Sequence, residues 1–129
     1  MKRPIKNLED VVLLVDDFYA KVQKDEHLAD IFNAIIQNRW SEHLQKMYQF
    51  WQTILLGEHT YKGTPFIPHA HLPVEKFHFD RWLKLFNETV IQYFEGEVAD
   101  EAIWRASKMA NMFQMKIEYY KKSTTTPIQ

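Results

Sequence analysis

The chain has 129 residues, 46% of them hydrophobic and 15% aromatic, which is enough apolar side chain to bury a sizeable core and excludes a disordered segment. Its 16 basic and 17 acidic residues leave a net charge of −1 and are spread along the chain, so no electrostatic ground exists for a nucleic-acid or anionic-membrane partner. The absence of cysteine excludes disulfides, thiolate metal sites and thioether-attached cofactors, and fits a cytoplasmic protein.

With so few Gly and Pro residues, a mostly α class is expected. Residues 1–6 read as a polar lead; the apolar run Val11 to Val15 is too short for a signal-peptide core or a membrane span. Asn7, followed three residues on by Asp10, has the form of a helix N-cap with acidic first-turn support. Val11, Val15, Phe18/Tyr19 and Val22 recur at helical spacing and predict a first helix over about residues 8–23. Asp25 can cap a short helix carrying Leu28, Ile31 and Phe32, with 33–39 as a connection of mixed character.

A third helix is expected from Trp40 to Leu56, with Trp40, His43, Met47, Phe50/Trp51 and Ile54 as its inner stripe and Gly57 ending it. Residues 58–68 form a loop holding Gly63, Pro65 and Pro68. It delivers His69-Ala70-His71, stopped at once by Leu72-Pro73. Pro73 suits the first turn of a helix over about 74–95, with Phe79, Trp82, Leu85/Phe86, Thr89 and Tyr93 inward and Gly96 at its end. The last helix is expected over about 98–120, with Ile103, Ala106, Ala110, Phe113 and Ile117 inward, followed by a frayed polar tail, KKSTTTPIQ. The whole chain reads as one domain.

Chemistry enters through polar groups on apolar stripes. Tyr19, His43 and Trp82 lie on the inward faces of three different helices. A buried hydroxyl, imidazole or indole N–H without a partner costs about 1–3 kcal/mol, so each requires a protein partner or a ligand. Any one of them alone is ordinary core; their joint occurrence in a chain that also presents His69 between prolines is what needs explaining. His69 has three readings. It can be a surface loop histidine, as His27, His59 and His78 can be. It can join His71 with His59 or His78 in a zinc site, although no carboxylate pair or cysteine supports one. It can be the single axial ligand of a haem iron, mounted rigidly by the prolines and walled by the aromatic helices.

The segments DDFYAKV, LADIFN, WSEHLQKMYQFWQTILLG, YKGTPFIPHAHLP and FDRWLKLF resemble those of the truncated haemoglobins, the two-over-two helical globins, and specifically their third group. The resemblance covers about residues 10–118. It implies an all-α truncated globin-like sandwich around non-covalent haem b. His69, in P-x-x-x-H-x-x-LP, matches the proximal iron ligand, with His71 ranked below it. Tyr19 matches the distal tyrosine that donates to bound ligand, and Phe32 the phenylalanine that packs on the haem. His43 matches the distal histidine that gates the pocket, and Trp82 the distal tryptophan whose indole N–H faces the ligand. Met47 and Trp51, one and two turns after His43, are expected in the pocket wall. The first glycine, Gly57, also matches the third group, whereas other truncated haemoglobins carry Gly-Gly pairs at the ends of early helices.

The implied partners are O2, NO and CO, with an unidentified reductase and neither nucleic acid nor membrane. Two distal donors imply slow O2 release and favour oxidoreductase chemistry, NO dioxygenase-like or peroxidase-like, over O2 transport. Two other classes compete: a haem-free helical module holding an apolar ligand in the aromatic slot, and a metal enzyme built on the histidines.

Overall fold

The computed structural model describes residues 2–63 and 72–125, with side chains up to Lys122. Five helices follow one another: α1 (Leu8–Val22), α2 (Ala29–Ile36), α3 (Trp40–Leu56), α4 (Lys76–Tyr93) and α5 (Glu97–Thr125). Helix α1 packs on α3 and α4, and α4 packs on α5. Among the described residues the fold is all-α, as expected. One isolated parallel bridge, Arg3 to Phe94, joins the lead to the end of α4.

Asn7 caps α1 as expected, its Oδ1 accepting from the Asp10 amide at 3.0 Å. The periodic stripe is buried throughout: Val11, Leu14, Val15, Phe18, Tyr19 and Val22 all face the core. The lead is less polar in role than in composition. Ile5 is buried in the core cluster. Asp10 is buried too, accepting from the Arg3 guanidinium at 2.7 Å and from the Lys6 amide at 2.9 Å. Arg3 itself lies over the Phe94 ring at 5.3 Å.

Several boundaries differ from the sequence reading, each for a local reason. Helix α2 runs on to Ile36, whose side chain is buried, and ends where Gln37 turns to φ 55°. Helix α4 begins at Lys76, leaving Pro73 in the lead-in. A reciprocal cap starts it, Glu75 accepting from the amide of His78 while His78 Nδ1 accepts from the Glu75 amide at 2.9 Å. The same helix stops at Tyr93, because Phe94 turns extended to bury its ring and pair with Arg3, and Gly96 at φ 102° makes the turn into α5. Helix α5 continues through Thr125, beyond the expected end, anchored where Lys121 Nζ donates to the Val74 carbonyl at 2.8 Å.

Polar ties set α1 against its neighbours. Lys21 Nζ donates to Thr89 Oγ1 and to Gln92 Oε1, both at 2.8 Å, and Thr89 donates onward to the Leu85 carbonyl. The fully buried Thr89 on the α4 stripe is thereby satisfied within the protein. The Tyr48 hydroxyl donates to Asp16, joining α3 to α1.

Asp25 does not cap α2 itself, whose N-cap is Leu28; it closes the turn before it, its Oδ2 accepting from the amides of His27 and Leu28, while Oδ1 takes the Arg81 Nε–H of α4 at 2.6 Å. Burial opposes its ionisation, but the Arg81 bond and the two amides outweigh that and hold the carboxyl below its ordinary range. Asp25→Ala is expected to cost about 2–3 kcal/mol, the turn-closing amide bonds and one charge-assisted hydrogen bond, read from denaturant unfolding at neutral pH. A group with a depressed folded pKa gives stability that is present above the unfolded carboxylate pKa of about 3.9 and lost as pH falls through the folded value. The difference between wild type and variant should therefore shrink in acid. A difference that is constant across the acid range would mean that the charge on Asp25 contributes nothing.

Candidate functional site

Helices α1, α2 and α3 bring four rings together. Tyr19 is 6% exposed; its ring lies edge-on to His43 at 5.0 Å and to Trp40 at 5.8 Å, and is tilted against Phe32 at 6.1 Å. His43 is also edge-on to Trp40, at 5.7 Å. This follows from local helical geometry: Trp40 and His43 are three residues apart on α3 and so share one side of its first turn. The indole N–H of Trp40 turns away, donating to Asn33 Oδ1 at 3.1 Å and fixing the start of α3 against α2.

A second ring cluster belongs to α3, α4 and the loop after Gly57. The rings of Trp82 and Phe86 stack at 5.6 Å and 7° as successive turns of α4, and Trp51 stacks on the other side of Phe86 at 4.9 Å. Phe50 is edge-on to Trp51 at 5.3 Å and to Tyr61 at 5.2 Å. The loop is tied back to α3 where Thr53 Oγ1 accepts from the Thr60 amide at 3.2 Å and the Tyr61 amide at 3.0 Å. Phe18 connects the two clusters: its ring is edge-on to Tyr19 at 4.8 Å, to Trp82 at 5.4 Å and to Phe86 at 5.3 Å.

The structure therefore gathers Tyr19, Phe32 and His43 directly and sets Trp82 one ring away, across Phe18. Met47 packs partly buried against the core. Trp51 lies deeper, buried against Phe86. His69 and His71 lie outside the described residues. Of the other histidines, His78 is occupied in the cap of α4 and His59 is exposed. Among the described residues no group of three metal-ligating side chains occurs.

The sequence reading placed Phe18 and Trp40 on inner stripes but gave them no part in the site. Their signal was present in the 18/19 aromatic pair and in the three-residue spacing of Trp40 and His43. What it lacked was the packing of α1 across α3 and α4, which makes Phe18 the joint.

Burial pushes the Tyr19 hydroxyl well above the ordinary tyrosine range, and no other group contributes to that shift. The hydroxyl is a neutral donor throughout the physiological pH range, on a ring packed among Phe32, Trp40 and the imidazole of His43. That donor set fits the ligand-binding side of a haem: flat apolar walls, a protonated hydroxyl and an imidazole, with no fixed charge among them.

The family model for bacterial-like globins matches residues 6–119. The chain is 38% identical over 125 residues to the group 3 truncated hemoglobin of Campylobacter jejuni, covering 93% of this chain and 98% of that protein. The crystal structure of the group III truncated hemoglobin from the same organism superposes with a TM-score of 0.83 at 37% identity, over 91% of this chain and 95% of the other. Haem binding, and with it the binding of small diatomic ligands such as O2, comes with membership of the globins. By the extent of these matches the chain belongs to the bacterial-like globins, among the group III truncated haemoglobins.

Proposed function

We propose that this globin holds haem b through His69 and acts on a bound diatomic ligand by redox chemistry, NO oxidation or peroxide activation, rather than carrying O2. The observation that supports this reading is the buried Tyr19 hydroxyl, a protonated donor whose ring meets His43 edge-on at 5.0 Å. When bound, the haem supplies an iron that binds the diatomic ligand and exchanges electrons with it.

The remaining roles fall to the protein. Tyr19 donates its O–H, and Trp82 its indole N–H, to the atom of the ligand on which negative charge develops. Phe18 spaces these two donors, and its packing holds both rings in fixed rotamers. Phe32, Met47 and Trp51 supply apolar wall that excludes water and strengthens those hydrogen bonds. His43, within ring contact of Tyr19, orients or gates the same space. Two donors slow ligand release, which is unfavourable for transport and favourable for chemistry on the ligand. Oxidation of NO by O2 to nitrate takes up one further electron, so this reading calls for a reductase partner. No described helix is long and apolar enough to cross a membrane, and we assign the protein to the cytoplasm.

A Soret band in the purified protein separates a haem protein from a haem-free helical module that would fill the slot with an apolar ligand. In His69→Ala, haem retention should fall steeply, or the axial-ligand features of the spectrum should change. Full haem content with an unchanged spectrum would overturn the proximal assignment and transfer it to His71.

A further inference from the structure

We propose that α5 is a self-association surface, on which a second copy of the chain docks its own α5 antiparallel about a two-fold axis between Asn111 and Met112. Helix α5 buries Ala99, Ala102, Ala106, Ala110, Phe113 and Ile117 against the rest of the fold. Its opposite face is unusually apolar for a solvated one: Trp104 is 51% exposed, Met115 73% and Tyr119 68%. Large exposed apolar side chains grouped in this way mark an interaction site. Two shallow hollows on the face, of about 520 and 320 Å3, meet at Met115.

The charge pattern identifies the occupant. An isologous pairing sets each residue against its mirror position about the axis. About an axis between 111 and 112, Trp104 falls opposite the partner's Tyr119, Arg105 opposite the partner's Glu118, and Glu101 opposite the partner's Lys122. Met115 falls opposite the partner's Lys108, at the hollow beside Trp104. Two charged pairs, Arg105 with Glu118 and Glu101 with Lys122, thus meet the opposite sign at each end, no like charges fall directly opposite, and the two large aromatics meet each other. Helix formation alone requires none of this. An anionic membrane surface would instead favour a face with only cations, and Glu101 and Glu118 break it. The strip from Glu101 to Lys122 is about 32 Å long at 1.5 Å rise per residue. It includes the turns of α5 beyond residue 119, where the family match stops.

Within one chain Arg105 Nε already meets Glu101 at 3.2 Å, and the Arg105 and Lys108 cations lie over the Trp104 ring at 5.4 and 5.0 Å. Docking adds the partner's Glu118 to that group, so that each copy's Arg105 lies between two carboxylates.

Sedimentation velocity on the full chain at rising concentration should show a monomer–dimer equilibrium. Met115→Lys, which sets a like charge against the partner's Lys108, should abolish it while leaving the thermal midpoint unchanged at concentrations where the wild type is monomeric. Glu118→Arg should weaken association about tenfold or more, since the lost pair occurs twice, and Arg105→Glu with Glu118→Arg in the same chain should restore it. The chain has no cysteine, so a single Asn111→Cys should cross-link under mild oxidation, whereas Ser107→Cys, set apart from its mate by about 13 Å along the axis, should not. Three outcomes would overturn the proposal: a wild-type monomer at every concentration, whether or not it sediments with anionic vesicles; a charge swap that fails to restore pairing; or cross-linking at Ser107→Cys in preference to Asn111→Cys.

Discussion

In the haem-loaded protein, Tyr19→Phe and Trp82→Leu should each speed O2 release by about 10- to 100-fold, the loss of one hydrogen bond worth roughly 1.5–3 kcal/mol to a partly charged acceptor. Stopped-flow displacement of O2 by CO measures this directly. The two effects need not add, because both donors address the same small ligand. Trp82→Leu also removes a ring that stacks on Phe86 and meets Phe18 edge-on, so Trp82→Phe is the sharper control, keeping the ring and deleting the N–H. Tyr19→Phe removes one oxygen and leaves the ring contacts with Phe18, His43 and Trp40 in place. Because burial holds the Tyr19 proton well beyond neutrality, the wild-type release rate should show no step from Tyr19 between pH 6 and 9. Unchanged off-rates in both Tyr19→Phe and Trp82→Phe would remove the basis for two-donor stabilisation, and with it the preference for redox chemistry over transport.

Phe86→Ala should be the most damaging single core change for stability. Its side chain is fully buried and in contact with Phe18, Trp51 and Trp82 at 5.3, 4.9 and 5.6 Å, so truncation leaves a cavity lined by three rings. A cost of about 3–5 kcal/mol follows, with a fall in thermal midpoint of roughly 10–20 °C for a chain of this length. The effect should reach the ligand as well, since Trp82 would lose the ring on which it stacks and O2 release should become heterogeneous. Trp104→Ala removes a larger ring, but one that is half exposed on α5, and should leave the midpoint nearly unchanged. A Phe86→Ala cost below about 1 kcal/mol would show that the surrounding rings close the cavity and that the cluster is not rigid.

Much of the architecture was legible because the determinants are local. Asn7, Gly57 and Gly96 act through their own backbone or that of the next turn, so their punctuation holds whatever surrounds it. The inner stripes of α1 and α3 follow from periodicity alone. The lead is polar in composition but not in role, because Arg3 takes its place from Phe94, far away in sequence, and from Asp10 in the next helix, while Ile5 joins the core. Helix α4 starts at Lys76 rather than at about residue 74, since a proline permits a first turn without requiring one, and the Glu75–His78 cap sets the start instead.

What the sequence determined by itself is the set of inward-facing chemical groups: a tyrosine, an imidazole and an indole on three amphipathic faces, with no thiol and no one-signed charge cluster. Helical periodicity is enough to establish which side each one takes. Only the tertiary structure decided how they stand to one another. The packing of α1 over α3 and α4 puts Tyr19 against His43, interposes Phe18 before Trp82, and sends Trp51 behind Phe86. Distances between side chains on different helices depend on packing and rotamers, which no pattern within one helix encodes.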